Sequence, residues 1–564
     1  MGLKKELNQN KLHVIPFGGC GEFGMNMTAY IMKSKLFLVD AGTMFPDPRK
    51  LGVSAVIPQA RSLIKDFGGI EAYFITHGHE DHIGSLPYFY KEWPAPIYAT
   101  PWTVELIKRK FLERGVPTKD IHLVKAGQLV KAPPLKVRYV HVNHSIPDAC
   151  ALFISTHGNK YKVFHTGDFK IDPTPVGTKP INLKELKGIG KERVDLLIAD
   201  STNAMSPGPS PSEKSVIKPL EKHLLAAKGR VFITTFASNL WRLKVIVDLC
   251  KKHKKKLAVI GRGMINCLEL GSELGYLSWP KQVMIEPEHC DSVPDKDLVV
   301  LVSGSQGEFR SGLPRIANDE HRNIKIKQGD LVIFSARVIP GNEKPILSLC
   351  DQLRRKGVKI ITAREHKDIH VSGHAYKKDL EVFLNLLKPA HYLPVHGTFT
   401  HLLVNSQIGK KLHYKPSERT LIDNGDILQV NGADTKIIGT CDLDCDFVDQ
   451  DSLTPMPWEV LRERLKIGEL GLALLTGVFC SKLMSFVSGP ELELQGLMLP
   501  KHISHKKWHR DLKRTVERHL EDWIENNSLD DKDNLAEQAR IQVRKILFNT
   551  FNKKPVTLVK FHFI

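Results

Sequence analysis

The stretch from His77 to His82 constrains this chain more than any other part of its sequence. Four of its side chains can bind a metal ion: His77, His79, Asp81 and His82. The preceding residues, 70–75, are apolar and aromatic and predict a buried strand, whereas 83–87 predict the start of a helix. A tight turn at a strand end holds side chains rigidly, and a glycine at position 78 lets the backbone turn closely. The stretch therefore predicts a metal site on a strand-end loop.

The spacing within this loop predicts two metal ions. Alternate side chains of an extended turn point the same way, so His77 and His79 can share one ion. Asp81 and His82 lie one turn further on and can serve a second ion nearby. Imidazole and carboxylate together suit zinc, with manganese or magnesium as alternatives. A polar loop with incidental histidines is the competing interpretation, but unpaired imidazoles and carboxylates crowded together would cost free energy.

Other predicted strands end in residues of the same types. Asp40 follows the apolar run 36–39 and can orient a metal-bound histidine, or serve only as a turn residue. His144 and Asp168 follow the predicted strands 137–142 and 163–165. Considered alone, each of these residues would more often have a structural role. Together with the loop for two ions, however, His144 supplies a third histidine for one ion, and Asp168 supplies a carboxylate that can bridge both ions.

The order of these motifs resembles a known fold. His-x-His-x-Asp-His, followed by His144, Asp168 and His396, resembles the metallo-β-lactamase fold. Asp200-Ser201-Thr202-Asn203, with Ser212-Glu213 after it, resembles the entry to the inserted β-CASP domain of nucleases with this fold. A further set of motifs, in chain order, is similar to the bacterial ribonuclease J family: Thr235-Phe236-Ala237-Ser238-Asn239, Gly304-Ser305-Gln306-Gly307-Glu308, Ile339-Pro340-Gly341-Asn342-Glu343, Val371-Ser372-Gly373-His374-Ala375 and Pro394-Val395-His396-Gly397.

The resemblance implies an α/β fold class. We expect a metallo-β-lactamase αββα sandwich with an inserted β-CASP α/β domain and a small α+β C-terminal domain. The expected bounds are 1–205 and 366–445 for the two parts of the sandwich, 206–365 for the insertion, 446–464 for a linker and 465–564 for the C-terminal domain. In that last domain, helical patterns occur at 508–524 and 534–551, and a strand-like pattern occurs at 555–561.

The resemblance also implies a set of metal ligands for two zinc ions. One ion takes His77, His79 and His144, the other takes Asp81, His82 and His396, and Asp168 bridges them. Glu80 has no place in this set.

Further residues are implied to act on the substrate. Asp81 and His374 are the expected catalytic residues, since His374 resembles the histidine beside the scissile phosphate. It would stabilise charge there or protonate the leaving 3′ oxygen. Phosphates would be bound through hydroxyl and backbone N–H groups of Ser305, Gly307, Ser372, Gly373 and His374. Ordinary polar turns are the alternative interpretation of these segments.

The implied activity is two-metal hydrolysis of RNA phosphodiesters. The family resemblance implies a 5′-to-3′ exonuclease that prefers 5′-monophosphate ends, with some endonuclease activity, in RNA decay and maturation. A net charge of +19 fits a polyanionic partner. His396 favours RNA, because DNA-acting relatives tend to carry valine there. The alternatives are an RNA-binding scaffold of a degradation complex and a small-molecule ester or thioester hydrolase of the same fold, although the latter would not need the insertion.

Cellular context follows from composition and from the resemblance. Nine cysteines, an odd number at irregular spacing, are typical of a reducing cytosol. The stretch Met1–Glu6 has no apolar signal core, and the apolar stretch 470–480 is too short to span a bilayer. We therefore predict a cytoplasmic protein without a membrane segment. The resemblance implies a homodimer or homotetramer and protein partners in RNA decay.

The chain departs from the family pattern at three places. Phe309-Arg310 and Thr398-Phe399 replace the usual proline–methionine and acidic–aromatic pairs, and Gly263 stands where serine is usual. None of these positions is an expected metal ligand, so the departures concern the RNA channel.

Overall fold

The computed structural model describes residues 3–46, 52–449, 453–483, 485–499, 504–526 and 532–564. The chain divides into two compact units. The first comprises Met1–Phe45 and Val56–Asp446, and the second comprises Pro46–Ala55 and Phe447–Ile564. Among the described helices, none is both long and apolar enough to cross a membrane.

The first part of the chain alternates strands with short helices. Its strands are β1 Leu12–Gly18, β2 Cys20–Gly21, β3 Met27–Met32, β4 Lys35–Val39, β5 Ala55–Pro58, β6 Ala72–Phe74, β7 Ile97–Ala99, β8 Ile121–Leu123, β9 Leu129–Ala132, β10 Leu135–His141, β11 Cys150–Thr156, β12 Lys162–His165 and β13 Leu196–Asp200. Its helices are α1 Leu3–Glu6, α2 Arg61–Phe67, α3 Glu80–Ile83, α4 Leu86–Glu92, α5 Pro101–Glu113 and α6 Leu183–Lys191.

The insertion and the segment after it continue this alternation. The insertion contains strands β14 Val231–Thr234, β15 Lys256–Ile260, β16 Leu298–Val302, β17 Leu331–Phe334 and β18 Lys359–Thr362, with helices α7 Ile217–Ala226, α8 Leu240–Lys252, α9 Arg262–Glu273, α10 Gly312–Ala317 and α11 Glu343–Arg355. The return segment contains α12 Lys377–Leu387, β19 His391–Val395, β20 Gly397–Thr398, α13 Phe399–Lys411, β21 Asp426–Val430, β22 Lys436–Thr440 and β23 Cys445–Val448.

Two sheets of the first unit form a sandwich. The eight-stranded sheet has the order β22-β21-β1-β3-β4-β6-β7-β8, and the six-stranded sheet has the order β19-β13-β12-β11-β10-β9. Side chains from both sheets, including Tyr30, Phe74, Tyr139 and Leu196, pack into one buried core. On the outer face of the six-stranded sheet, α6 and α12 bury a second core that includes Phe383. The predicted αββα sandwich of the metallo-β-lactamase fold is thereby confirmed.

The insertion is an α/β domain around a parallel sheet of order β15-β16-β14-β17-β18. Strand β16, Leu-Val-Val-Leu-Val, is apolar throughout because parallel sheets are covered on both faces. One face packs on α8 and α9 through residues such as Trp241 and Leu268. The other packs on α10 and α11 through residues such as Leu313 and Leu349.

The second unit carries α14 Trp458–Leu470, β24 Leu472–Cys480, β25 Ser485–Gln495, α15 His505–Asn526, α16 Lys532–Phe551 and β26 Val556–Phe563. Its sheet has the order β25-β24-β26, and alternate residues of β24, such as Ala473 and Leu475, pack against Val516 and Val543 of the two long helices. The predicted helices are present with slightly wider bounds, and the final strand begins one residue later and ends two residues later than predicted. The segment expected as a linker, 446–464, contains part of β23 and the start of α14, and residues 450–452 lie outside the described residues.

Candidate metal centre

The predicted metal-binding side chains follow strands whose carboxyl ends meet at one edge of the sandwich. Strands β12, β13 and β19 are parallel neighbours. Strand β10 runs in the same direction, because β11 is antiparallel to both β10 and β12. In the other sheet, β4 and β6 are parallel. The loops after these strands therefore converge, which brings the rings of His82 and His396 to 5.6 Å from each other although they are far apart in the sequence.

The first group of donor atoms comes from His77, His79, His144 and Asp168. Nε2 of His77 and Nε2 of His144 each lie 3.1 Å from Nδ1 of His79. Oδ2 of Asp168 lies 3.7 Å from Nε2 of His77 and 3.8 Å from Nε2 of His144. These donors can surround one zinc ion, whose ligand distances are about 2 Å.

The second group comes from Asp81, His82, Asp168 and His396. Nε2 of His82 lies 3.3 Å from Oδ2 of Asp168 and 3.7 Å from Oδ2 of Asp81. Nδ1 of His396 lies 2.8 Å from Oδ1 of Asp168, and its Nε2 lies 3.5 Å from Oδ2 of Asp81. Asp168 thus has one oxygen towards the first group and His82, and the other towards His396. This is the arrangement a bridging carboxylate needs.

A third group adds two residues to Asp168 and His396: His374, which was predicted as catalytic, and Asp200, which was not predicted as a site residue. Nδ1 of His374 lies 2.9 Å from Oδ2 of Asp200 and 3.8 Å from Oδ2 of Asp168. Asp200 is buried, and its Oδ1 accepts hydrogen bonds from the backbone N–H and the hydroxyl of Thr202 at 2.8 and 2.6 Å. A signal was present, because Asp200 ends an apolar strand just as Asp40 and Asp168 follow theirs.

The imidazoles of the first group are neutral near neutral pH. Burial, with neighbouring His82, holds the pKa of His77 well below its ordinary value. Burial and the adjacent His79 do the same for the pKa of His144, and burial lowers the pKa of His79 to about 4. A neutral imidazole keeps a lone pair on one nitrogen, which is the form that binds a metal ion.

The second group attracts positive charge. Burial is the largest single influence on His82 and His396 and opposes their protonation, but their acidic neighbours together outweigh it. Asp168, Asp81 and Asp40 raise the pKa of His82 well above its ordinary value, and Asp168, Asp81 and Asp200 raise the pKa of His396 to about 10. In turn the histidines hold the pKa of Asp168 well below its ordinary value, although burial opposes this. Divalent cations would satisfy these carboxylates, so the donor set fits metal ions in charge as well as in geometry.

A second layer of contacts orients the histidines. Oδ2 of Asp40 lies 2.7 Å from Nδ1 of His82, and its two oxygens accept hydrogen bonds from the hydroxyl and the backbone N–H of Thr76, each at 2.8 Å. Nδ1 of His144 donates to the carbonyl of Gly373 at 2.8 Å. Each partner fixes which ring nitrogen faces the centre. The orienting role predicted for Asp40 therefore has the contact it needs.

Replacing Asp40 with asparagine tests this orienting contact. An amide in place of the carboxylate weakens the hold on Nδ1 of His82, so affinity for one of the two ions should fall by about 10- to 100-fold. Metal titration of the stripped protein measures this directly. Asp195→Asn is a suitable control, since that buried aspartate contacts Lys162 and Arg193 outside the centre. Equal metal affinity in Asp40→Asn and the unaltered protein would contradict the role.

The residues predicted to bind substrate are only partly gathered at the centre. Gly373 packs on His144, since a Cβ there would lie 2.8 Å from the imidazole ring. The hydroxyl oxygen of Ser372 accepts from the backbone N–H of His374 at 3.3 Å. Ser305 and Gly307 lie in a separate turn. The side chain between them, Gln306, donates to the carbonyl of Arg337 at 2.9 Å.

The polar side chains that link this turn to the centre were not predicted as site residues. Nη1 of Arg337 donates to Oδ1 of Asn203 at 2.5 Å, and Nδ2 of Asn203 donates to the hydroxyl of Ser372 at 2.8 Å. Arg337 is exposed. The sequence offered no periodic signal for it, because it lies in an irregular loop after β17.

Known family models match four segments of the chain. Family models match residues 17–202 as a beta-lactamase superfamily domain and 228–353 as the beta-CASP domain of ribonuclease J. A Zn-dependent metallo-hydrolase RNA specificity domain matches 360–410, and the ribonuclease J C-terminal domain matches 459–563.

Individual relatives agree with these matches. Ribonuclease J of Helicobacter pylori strain B128 is 34% identical over 99% of this chain and 80% of its own length. Ribonuclease J of Thermus thermophilus is 35% identical over 83% of each chain, and ribonuclease J2 of Bacillus subtilis is 31% identical over 88% of each. A crystal structure of a protein of unknown function from Enterococcus faecalis shares the fold, with a TM-score of 0.52 at 16% identity over 74% of this chain and all of that one. The chain belongs to the ribonuclease J family of metal-dependent ribonucleases.

Proposed function

We propose that this ribonuclease is a two-zinc enzyme that removes nucleotides from the 5′ end of RNA, prefers a 5′-monophosphate, and makes some internal cuts. One observation carries the proposal. Asp168 belongs to all three donor groups, so two ions and the His374–Asp200 pair would face the same phosphodiester.

The proposed ligands are the seven residues predicted from the sequence. His77, His79 and His144 hold one ion, Asp81, His82 and His396 hold the other, and Asp168 contacts both. When bound, the ions supply Lewis-acid chemistry that acidifies water and offsets charge on the phosphoryl oxygens. Zinc is favoured because most of the donors are imidazoles, with manganese or magnesium as alternatives.

His374 is the proposed proton donor. Asp200, and more weakly Asp168, raise the pKa of His374 against the effect of burial, so the imidazolium persists closer to neutral pH. Asp200 occupies Nδ1, which leaves Nε2 to donate its proton to the 3′ oxygen as that oxygen leaves. The side chain is 19% exposed, which is enough for contact with a substrate.

The preference for a 5′-monophosphate is proposed to reside beside His374. Arg337, Asn203 and Ser372 form a chain of hydrogen bonds that ends two residues before His374. A guanidinium with a hydroxyl beside it suits a terminal phosphate in charge and in geometry. The turn containing Ser305 and Gly307 supports Arg337 through Gln306 and is the proposed outer wall of this phosphate site.

Substrates that differ only at the 5′ end test this assignment. The protein is incubated with 5′-monophosphate, 5′-triphosphate and 5′-hydroxyl forms of one RNA, and with matching DNA, in zinc, manganese or magnesium. We expect 5′-mononucleotides from the monophosphorylated RNA, slower release from the other two RNAs, and little from DNA. Equal cleavage of all three RNAs into internal fragments would contradict the exonuclease proposal. RNA binding without cleavage under every metal would favour a scaffold.

The cellular setting is also a proposal. The six buried cysteines, Cys20, Cys150, Cys250, Cys267, Cys290 and Cys350, are free thiols, which supports a reducing compartment such as the cytoplasm. Family membership supports a homodimer or homotetramer with protein partners in RNA decay, which light scattering of the purified protein would test. We keep 206 and 365 as the proposed ends of the β-CASP insertion.

A further inference from the structure

The insertion contains a buried arginine that lies outside the metal centre. Arg242 lies on α8 of the insertion and is fully buried. Its Nε and Nη2 donate to the two carboxylate oxygens of Glu213 at 2.6 and 3.1 Å. Burying such a pair gains little net stability, because desolvation offsets the attraction between the charges. Stability alone therefore gives little reason for an ion pair at this position.

The remaining nitrogen of Arg242 joins two separate loops. Nη1 donates to the carbonyl and the hydroxyl of Ser335 at 3.0 and 2.5 Å, and to the carbonyl of Ile369 at 3.3 Å. The hydroxyl of Ser335 also donates to the carbonyl of Ile369 at 2.7 Å. The planar guanidinium thus fixes the start of the segment 369–374 against the end of β17.

The same segment is held again close to the metal centre. The carbonyl of Gly373 accepts from Nδ1 of His144, and the hydroxyl of Ser372 accepts from Asn203. His374 follows directly. With contacts at Ile369 and at residues 372–373, little freedom remains in the backbone that carries His374.

Glu213 connects Arg242 to the neighbourhood of His144 by a second path. Its backbone N–H donates to Asp172 at 2.9 Å, and Asp172 lies 3.4 Å from the ammonium of Lys170. The backbone N–H of Lys170 donates to the carbonyl of Asn143 at 2.8 Å, next to His144. Two paths of contacts therefore connect Arg242 to His144. One passes through the segment 369–373, and the other passes through Glu213, Asp172 and Lys170.

We propose that Arg242 is a positioning residue for cleavage: it holds segment 369–374 so that His374 meets the leaving 3′ oxygen. The inference rests on the proposed role of His374 as the proton donor. Arg242 touches neither the metal-binding side chains nor the substrate, and acts only through the backbone that it fixes.

Arg242→Lys tests the proposal, because lysine keeps the charge beside Glu213 but cannot join both carbonyls in one plane. Two RNAs are compared, one ordinary and one with sulfur in place of the leaving 3′ oxygen. A thiolate leaves without a proton, so the second RNA needs no donor. With the ordinary RNA, kcat should fall on the order of 10- to 100-fold while KM stays nearly constant. With the sulfur-containing RNA, kcat should stay close to that of the unaltered protein.

Arg230→Lys is the matched control. Arg230 is also buried in the insertion and makes the same two-pronged pair with Asp330, at 3.0 and 2.6 Å. Its other side-chain hydrogen bond goes to the carbonyl of Lys325. Both RNAs should be cleaved at nearly the normal rate per folded molecule. Ser335→Ala, which removes the hydroxyl without disturbing a charge, should produce a smaller loss with the same selectivity for the ordinary RNA.

The outcomes separate this inference from the proposed function. If His374→Ala slows both RNAs equally, the proton-donor role fails, and the inference fails with it. If His374→Ala is selective but Arg242→Lys and Ser335→Ala slow both RNAs equally, or neither, only the role of Arg242 is overturned. If all three variants slow only the cleavage of the ordinary RNA, the result supports both the proton-donor role of His374 and the positioning role of Arg242.

Discussion

Replacing His77 with alanine should abolish RNA cleavage and leave RNA binding largely intact. Its Nε2 lies among the donor atoms of the first group, and the side chain is completely buried. Without it, the first group keeps only His79, His144 and Asp168 as donors. Loss of one ion's contribution to the transition state, several kcal/mol, corresponds to a fall in kcat of about a thousandfold or more. RNA binding depends chiefly on cationic surface and should change little.

The experiment measures cleavage, RNA affinity and bound metal on the same preparation. His13→Ala is the control, because His13 is also buried and in the same unit but lies on β1 beside Gln429. That variant should keep both ions and normal cleavage per folded molecule. Undiminished cleavage by His77→Ala would rule out the proposed centre.

Asp168→Ala should have the larger effect on metal binding. Asp168 belongs to all three donor groups; its Oδ2 faces the first group and His82, and its Oδ1 faces His396. Removing it withdraws a ligand from both ions together and takes away the charge that attracts them. We expect both ions to be lost and cleavage to fall below detection, whereas His77→Ala should retain one ion.

Metal analysis after gel filtration distinguishes these two results. The expected stoichiometries are two ions in the unaltered protein, one in His77→Ala and none in Asp168→Ala. Asp195→Asn provides the matched control, because Asp195 is a buried aspartate beside β12 whose contacts lie away from the centre. Retention of two ions by Asp168→Ala would contradict a bridging role.

The sequence alone determined the local part of the centre. Histidines at 77 and 79, with Asp81 and His82 one turn later, must lie close together because a strand-end turn keeps near neighbours near. Apolar runs before Asp40, His144 and Asp168 predicted strands that deliver each of them at an end. The family motifs extended this to the fold class, the insertion and His396.

Only the tertiary structure decided how these distant strand ends come together. Asp200 enters the centre because β13 pairs in parallel between β12 and β19, and no local pattern specifies that pairing. The assignment of the two oxygens of Asp168 to different histidines depends on the same convergence of strands.

The burial and the contacts of Arg242 could not be predicted from the sequence. In the sequence it is one cation on a helix, and cations on helices usually face water. Its burial, its pairing with Glu213 and its contact with Ile369 arise only when three distant segments pack together. Spacing in a chain fixes contacts within a turn or a strand, whereas contacts between distant segments depend on the free energy of the whole packed fold.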